Sequence, residues 1–311
     1  MTIAVPADDL ERLSLRAWRE RCRRLCAEGS TVVETSRGPL EVGEAGEGPP
    51  LVVLHGLGGG WDHGLWLARR LGLDRRHRIL AVSRPGYLRT PLGTGPTPDG
   101  QADALGDLLA ALRLPRAAVL GSSAGALSAV RFALRHPDRC SGVVLLSGVA
   151  HRIRGAGVAA RLRLVPGGDW TSWGFSCSRR LHGLLGPLFW RPLTRDARRL
   201  GRLRSSAEAR RAYIEMLETG APAGLRAQGR FADLAAVAAF PRRPDGAASA
   251  PGLVIHGLRD PMVSFSHART ALEWLPGARL VTVRDAGHLL PLTHPHLGRV
   301  ITRFLAPLGS G

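Results

Sequence analysis

Short apolar runs alternate with longer amphipathic segments along most of the chain. Each run has the length of a buried strand, and each amphipathic segment repeats its apolar residues at helical spacing. The runs cover 51–56, 78–83, 117–121, 142–147, 252–257 and 278–283, the predicted helices about 62–71, 98–113, 124–136, 264–275 and 295–305, and a predicted hairpin 31–35 and 39–43. This alternation predicts an α/β fold with a mostly parallel central sheet and helices on both faces. The carboxyl ends of the strands then share one edge, where ligands bind in such sheets.

The alternation stops between residues 149 and 235. This segment has no apolar run of the strand type, and helices are predicted near 156–164, 176–186 and 205–218. We therefore expect a core of residues 31–148 and 236–311, with 149–235 inserted as a mostly helical cap. Aromatic residues of the cap could line an apolar substrate pocket or form the cap's own core, namely Trp170, Trp173, Phe175, Phe189 and Trp190. Arg152 and Arg154 could bind a substrate carboxylate or be ordinary surface arginines.

An amphipathic helix is predicted over residues 8–28, within an N-terminal segment, 1–30, that lies outside the core. Its apolar residues near one face are Leu10, Trp18, Cys22 and Leu25, and arginines cover much of the remaining surface. The modest width of the apolar face favours a helix packed on the body of the protein or on a partner. A helix lying on an anionic membrane surface is the alternative.

The segment Gly121-Ser122-Ser123-Ala124-Gly125 lies between a predicted strand and a predicted helix. A G-x-S-x-G sequence in that context is typical of a nucleophile elbow, whereas elsewhere it would be an ordinary Gly/Ser-rich turn. The turn is so tight that both flanking glycines are needed, and we expect a strained backbone at Ser123 that raises its hydroxyl above the sheet edge. The Ala124 N–H would lie at the helix N-terminus, where it can stabilise an oxyanion.

A serine hydroxyl needs a base before it can act as a nucleophile at neutral pH. His288 is the candidate, because it follows the last predicted strand and therefore lies on the same sheet edge as Ser123. Asp260 follows the preceding strand and could fix the tautomer of the imidazole, as the acid of a catalytic triad does. Asp285 is the rival acid, and Asp260 could instead serve only its own turn or cap the next helix.

The sequence HGLGGG at residues 55–60 follows the first buried strand. Its glycines let the backbone come close to a reacting oxygen. We expect a second oxyanion donor in this loop, the Leu57 N–H, with the Gly58 N–H as the alternative. A glycine-rich loop after a strand could also bind phosphate, but this one has neither the G-x-G-x-x-G spacing nor the lysine of a P-loop.

These motifs resemble those of the α/β-hydrolase superfamily. The residues that carry the resemblance are the HGLGGG loop, the SRPGY turn at 83–87, the GSSAG elbow, GLRD at 257–260 and AGH at 286–288, in the family's order across residues 31–306. The resemblance implies a triad of Ser123, Asp260 and His288, oxyanion donors at Leu57 and Ala124, and a cap after the sixth strand. Ser83 departs from the family pattern, since many relatives have aspartate there.

A serine at the elbow, rather than an aspartate, argues against haloalkane dehalogenase and epoxide hydrolase chemistry. The motifs predict a serine hydrolase that cleaves a carboxylic ester or lactone of a small, largely apolar substrate through an acyl-enzyme, with no metal and no cofactor. The alternatives are C–C bond hydrolysis, lyase or perhydrolase chemistry with the same triad, or a non-catalytic ligand-binding protein of the same fold. Pocket shape separates these alternatives, and the sequence does not give it.

The chain has a formal net charge of +18, and all 43 of its basic residues are arginine. Such charge suggests an anionic partner. The arginines are spread along the chain without a recognised nucleic-acid module, so no nucleic-acid partner is expected. The four cysteines have no paired or metal-binding spacing and are predicted to be buried thiols. The chain has no apolar run of about 18 residues, so no transmembrane segment is predicted. The acidic N-terminus does not resemble a signal peptide, and a cytoplasmic protein is expected. The sequence does not indicate an oligomeric state.

Overall fold

One eight-stranded sheet forms the centre of the computed structural model, which describes residues 13–153, 168–177, 197–241 and 245–309. Its strands are β1 (Thr31–Thr35), β2 (Gly38–Ala45), β3 (Pro50–Leu54), β4 (Arg78–Val82), β5 (Ala117–Ser122), β6 (Cys140–Leu146), β7 (Gly252–Gly257) and β8 (Arg279–Val283). They are ordered β1-β2-β4-β3-β5-β6-β7-β8. The hairpin β1–β2 and the pair β2–β4 are antiparallel, and all other neighbours are parallel. The predicted mostly parallel sheet is therefore confirmed.

Helices cover both faces of this sheet. In the described part of the chain they are α1 (Leu15–Glu28), α2 (Trp61–Arg70), α3 (Pro98–Ala111), α4 (Gly125–Arg135), α5 (Asp169–Cys177), α6 (Ala197–Ser205), α7 (Ala207–Glu218), α8 (Ala227–Ala239), α9 (Ser266–Trp274), α10 (Leu290–Thr293) and α11 (Leu297–Leu305). Helices α3, α4 and α9 pack on one face, and α2 and α11 pack on the other.

Strand β3 shows why a continuous apolar run was needed. Its side chains alternate between the two faces of the sheet. Val52 and Leu54 enter the core under α3, α4 and α9, whereas Leu51 and Val53 enter the core under α2 and α11. All four are fully buried, so neither face of this strand could carry polar residues.

The helices α5 to α8, here called the inserted helices, follow β6 and precede β7 in the sequence. Helix α7 corresponds to the predicted helix at 205–218. Of the helix predicted at 176–186, only residues 176 and 177 are described, and they end α5. The predicted helix at 156–164 falls outside the described residues. Helix α8 was not predicted, and it crosses the expected core boundary between 235 and 236. The residues that α8 buries are Gly229, Asp233 and Val237. Because one is charged and one is a glycine, the helix lacks the apolar stripe by which amphipathic helices are recognised in a sequence.

Helix α1 packs on the inserted helices. Ser14 caps it by accepting the Ala17 N–H at 3.2 Å. Trp18, Cys22 and Cys26, spaced by four residues, are buried, and the cluster around Trp18 and Cys22 includes side chains of α5 and α7. The structure thus packs the buried residues of α1 against the body of the protein, as in the first of the two interpretations. Residues 8–12 of the predicted helix lie outside the described part.

Two further expectations concern the cysteines and the membrane. The four cysteines are free and buried. Burial raises the pKa of the Cys26 thiol to about 12, so it stays protonated. Within the described ranges, no helix is both long enough and apolar enough to cross a bilayer.

Replacing the central side chain of α1 tests this packing. Trp18→Ala should lower the free energy of unfolding by about 3–5 kcal/mol, because it empties a fully buried site between α1 and the inserted helices. Urea denaturation measures the change. Arg23→Ala on the exposed side of α1 is the matched control and should change stability by less than about 0.5 kcal/mol. Equal effects of the two substitutions would contradict the packing.

Candidate active site

Ser123 lies at the tight turn between β5 and α4. Its φ of +52° is in the left-handed region, which costs a residue with a side chain about 1–2 kcal/mol. Three backbone hydrogen bonds hold it there: its N–H donates to Leu146 O at 3.1 Å, and its carbonyl accepts from Val149 N at 2.9 Å and Ala126 N at 3.2 Å. The strained elbow expected from the sequence is present in the structure.

The two elbow glycines are required by close backbone contacts. A Cβ on Gly125 would lie 2.5 Å from Leu54 O and 2.6 Å from His55 O. A Cβ on Gly121 would lie 2.7 Å from the Ala126 Cα. Helix α4 therefore starts in direct backbone contact with the end of β3, and this contact brings Ser123 next to the loop at 55–60.

Three distant side chains meet at this edge of the sheet. Ser123 Oγ lies 3.1 Å from His288 Nε2, and His288 Nδ1 lies 2.7 Å from Asp260 Oδ2. Because the carboxylate can only accept, the Nδ1 carries the proton and the Nε2 is left to accept from the serine hydroxyl. The rival acid, Asp285, contacts His294 instead, at 3.4 Å.

Asp260 combines the roles that the sequence left open. Its Oδ2 accepts from His288, and its Oδ1 accepts from the N–H groups of Met262 at 2.8 Å and Val263 at 2.9 Å, which closes its own turn. Burial by itself would raise the pKa of this carboxyl, but His288 and the Val263 N–H outweigh burial and hold the pKa below its usual value. Asp260 is therefore ionised at neutral pH.

The loops that carry Asp260 and His288 touch through a glycine. A Cβ on Gly257 would lie 2.5 Å from Ala286 O and 2.5 Å from Gly287 O. Arg259 N also donates to Ala286 O at 3.1 Å. These contacts set the distance between the aspartate and the imidazole.

The loop at 55–60 is fixed by the carbonyl of Gly56. His55 Nε2 accepts the Arg84 N–H at 3.1 Å, so the proton of this imidazole is on Nδ1, which donates to Gly56 O at 2.7 Å. Burial lowers the pKa of His55 far below its usual value, which keeps the ring neutral. In a trans peptide the C=O and the following N–H point in opposite directions. The hydrogen bond from His55 holds Gly56 O on one side of the Gly56–Leu57 peptide, and the Leu57 N–H therefore points to the opposite side.

Two backbone donors remain available at the site. Gly58, the alternative donor, already gives its N–H to Tyr87 Oη at 3.3 Å. The N–H groups of Leu57 and Ala124 donate to no acceptor within the described residues. A Cβ on Gly56 would lie 3.0 Å from the Ser123 Cβ, so the loop and the elbow are neighbours. The geometry thus favours Leu57 over Gly58.

The cap residues singled out in the sequence are placed as follows. Phe175 is buried in the cluster that contains Trp18 and Tyr213, and Trp173 packs against it, so these two aromatics belong to the core of the inserted helices. Trp170 is 51% exposed. Arg152 is half-buried, and Arg154, Phe189 and Trp190 lie outside the described residues.

Ser83 makes a buried contact with a carboxylate. Its Oγ donates to Glu41 Oε2 at 2.9 Å and accepts the Trp61 N–H at 3.0 Å. Glu41 comes from β2 and is fully buried. A carboxylate from the neighbouring strand β2 therefore binds the residue at the start of this turn.

Further histidines surround Asp260. His256 Nε2 donates to Val263 O at 2.9 Å and supports the loop that carries the aspartate. His267 stacks on His151 with 3.6 Å between ring centroids, and its Nδ1 accepts the Ala150 N–H at 3.1 Å. Burial, reinforced by His151, lowers the pKa of His267 to about 3. Among the described residues, no group of three or more His, Cys, Asp or Glu could hold a metal ion.

Steric crowding at the elbow gives a first test. Gly125→Ala should lower the free energy of unfolding by about 2–4 kcal/mol, because its methyl group would overlap two backbone carbonyls that cannot rotate away. Gly93→Ala is the matched control, since a Cβ there meets nothing within 4 Å, and it should change stability by less than about 0.5 kcal/mol. Denaturant titration of both variants measures these changes. Equal unfolding free energies for the two variants would contradict the close contact between Gly125 and the carbonyls of Leu54 and His55.

The buried His267 gives a second test, through pH. The folded protein keeps this ring neutral, whereas the unfolded chain binds a proton below about pH 6.5. Its contribution to stability is therefore full above that pH and is lost as pH falls towards about 3. His267→Asn preserves an acceptor for the Ala150 N–H and should flatten the pH dependence of the unfolding free energy between pH 6 and 4 by about 1.4 kcal/mol per pH unit. If the unfolding free energies of the wild type and His267→Asn changed with pH in parallel, the conclusion that the folded protein keeps His267 neutral would be contradicted.

Comparison with known proteins agrees with this geometry. The family model of the alpha/beta hydrolase fold matches residues 49–295. A 2-hydroxymuconate semialdehyde hydrolase from Pseudomonas sp. strain CF600 is 28% identical, over 81% of this chain and 84% of its own. A pimeloyl-[acyl-carrier protein] methyl ester esterase from Chromobacterium violaceum is 31% identical, over 82% and 93%.

Solved structures show the same relationship. An alpha/beta hydrolase fold protein from Nakamurella multipartita superimposes with a TM-score of 0.72 at 31% identity, covering 90% of this chain and 98% of its own. The family match spans most of the chain, and the sheet order, the elbow and the relatives all agree with it. The chain belongs to the α/β-hydrolase family and is a hydrolase.

Proposed function

We propose that this hydrolase cleaves a carboxylic ester or lactone of a small, largely apolar substrate through an acyl-enzyme on Ser123. The observation that carries the proposal is the continuous hydrogen-bonded chain from Ser123 Oγ through His288 to Asp260, with distances of 3.1 and 2.7 Å. Such a chain is the arrangement in which a base activates a serine and an acid orients that base. The relative named as a methyl ester esterase supports the choice of an ester.

The reaction follows from the positions of the donors and acceptors. Ser123 Oγ attacks the carbonyl carbon while His288 Nε2 accepts the hydroxyl proton, and the carbonyl oxygen becomes an oxyanion held by the Leu57 and Ala124 N–H groups. The imidazolium then gives its proton to the leaving alkoxide, and the alcohol departs. Water attacks the acyl-enzyme with His288 again as base, which releases the acid and returns the proton to Ser123. Asp260 stays ionised throughout and stabilises the imidazolium.

A second candidate is hydrolysis of a substrate like that of the 2-hydroxymuconate semialdehyde hydrolase to which the chain is 28% identical. The same triad would serve C–C bond cleavage, and lyase or perhydrolase chemistry as well. Turnover of p-nitrophenyl esters of increasing acyl length, compared with turnover of 2-hydroxymuconate semialdehyde, distinguishes these reactions. A non-catalytic ligand-binding protein would turn over neither and would not react with a fluorophosphonate probe.

Removal of the nucleophile tests the proposal directly. Ser123→Ala should reduce kcat for a short p-nitrophenyl ester by on the order of 10⁴- to 10⁶-fold, because no other group then forms the acyl-enzyme. It should also abolish labelling by a fluorophosphonate, while unfolding free energy changes by less than about 1 kcal/mol.

The adjacent serine is the matched control. Ser122→Ala removes the same hydroxyl group one residue away and should retain both turnover and labelling, since the hydrogen bonds of the His288 ring go to Ser123 and Asp260. Labelling that persists in Ser123→Ala, or that disappears equally in both variants, would reject Ser123 as the nucleophile.

A further inference from the structure

A buried ion pair joins helix α8 to the turn after β4. Arg84 Nη1 and Nη2 donate to Asp233 Oδ1 and Oδ2, each at 2.5 Å. The two side chains are only 2% and 4% exposed. A guanidinium out of water needs a partner for its charge and for its N–H groups. Asp233 is that partner, although it lies 149 residues further along the chain.

The same guanidinium holds the loop beside Ser123. Arg84 Nε donates to His55 O at 3.0 Å, and Nη2 reaches Gly56 O at 3.4 Å. Asp233 fixes the plane of the guanidinium from one side, and the guanidinium fixes two consecutive carbonyls on the other. The second of these carbonyls belongs to the peptide whose N–H is that of Leu57.

Tyr87 makes a second connection between α8 and this loop. Its hydroxyl donates to Asp233 Oδ2 at 2.5 Å and accepts the Gly58 N–H at 3.3 Å. Burial raises the pKa of Tyr87 well above its usual value, so the phenol keeps the proton that it donates. Both peptide planes that flank Leu57 are thus connected to one carboxylate.

Helix α8 reaches the turn in direct backbone contact. Gly229 N donates to Gly86 O at 2.8 Å. A Cβ on Gly229 would lie 2.2 Å from the Tyr87 ring, and a Cβ on Gly86 would lie 2.6 Å from Gly229 N. Helix α8 and the turn therefore pack backbone against backbone at this point, and a side chain on either glycine would separate them.

We propose that Asp233, on the inserted helix α8, is a positioning residue for the oxyanion hole, acting through Arg84 and Tyr87 on the loop at 55–58. The inference rests on the proposed function, since it assigns the Leu57 N–H to an oxyanion. It adds that one of the inserted helices, α8, supports the catalytic machinery from outside the sheet. Without the carboxylate, the buried guanidinium and phenol lose their common partner. The Gly56–Leu57 peptide then keeps its contact with His55 but is held less firmly from the side of Arg84 and Tyr87.

Three variants separate positioning from stability. Asp233→Asn removes the charge but keeps the shape of the side chain. The double variant R84M/D233L replaces the buried pair with apolar side chains, an exchange that often preserves or raises stability. Glu218→Gln is the matched control, because Glu218 on α7 pairs with Arg21 on α1 in a part-buried contact of 3.3 Å. Among the described residues, no hydrogen bond joins Glu218 to the loop at 55–58.

Kinetics and an oxyanion mimic give the first readout. Asp233→Asn should lower kcat for a p-nitrophenyl ester by about 10- to 100-fold, less than the 100- to 1,000-fold loss from deleting an oxyanion donor outright, with little change in KM. Affinity for an alkyl trifluoromethyl ketone, which forms an oxyanion on the serine, should fall in parallel. R84M/D233L should recover the thermal stability lost in Asp233→Asn and still keep the low kcat, whereas Glu218→Gln should retain wild-type kcat.

Amide hydrogen exchange of the full-length protein gives a readout that needs no activity. In Asp233→Asn and R84M/D233L, peptides covering residues 55–60 should exchange at least about 10-fold faster than in the wild type, since Tyr87, which accepts the Gly58 N–H, loses the carboxylate that holds its hydroxyl in place. In Glu218→Gln these peptides should exchange at the wild-type rate.

Two results would overturn the inference while leaving the proposed function intact. One is a double variant that regains wild-type kcat together with its stability, which would reduce the pair to a purely structural role. The other is wild-type exchange at residues 55–60 in Asp233→Asn. A wild-type protein inert to both esters and fluorophosphonate would instead reject the proposed function and the inference with it.

Discussion

The site depends on one steric constraint, the contact between the start of helix α4 and the carbonyl groups at the end of β3. Gly125 approaches Leu54 O and His55 O so closely that no side chain fits between them. This contact fixes the elbow relative to the loop at 55–60, and so the Ser123 hydroxyl and the Leu57 N–H open onto the same space. Further contacts hold each of these two segments in place. Strand β6 holds the backbone of Ser123, and the turn after β4 holds the loop.

The polar groups around this contact are organised by burial. Asp260 is kept ionised by N–H donors and an imidazole, and the Arg84 charge is matched by a carboxylate on another element. A buried charge that lacks some of its hydrogen-bond partners destabilises the fold. The Asp260 carboxylate and the Arg84 guanidinium therefore each bind several groups, and each fixes the positions of those groups at once. The orientation of a single peptide, Gly56–Leu57, results from a histidine, an arginine and, through that arginine, an aspartate.

Much of the fold and of the candidate site could be predicted from the sequence, wherever a feature depends on residues that are close together in the chain. The buried strands carry apolar runs, and the triad residues follow strands whose carboxyl ends must meet. The elbow glycines also follow from the steric demands of a tight turn. Asp233 gave no such signal, because an aspartate within the Ala-rich helix α8 looks like any solvated charge until the fold brings it to Arg84. Glu41 was hidden for the same reason, since its contact with Ser83 joins separate strands.

Helix α1 lies outside the segment that matches the family model, yet Trp18 is fully enclosed by residues of α5, α7 and their neighbours. A truncated protein that began at the first strand would still contain every residue of the sheet and the elbow, together with Asp260 and His288. It would, however, leave an uncovered aromatic and aliphatic hollow around Phe175 and Tyr213. Exposed apolar surface of this kind favours self-association, so helix α1 shields apolar side chains of helices that are inserted far downstream in the chain.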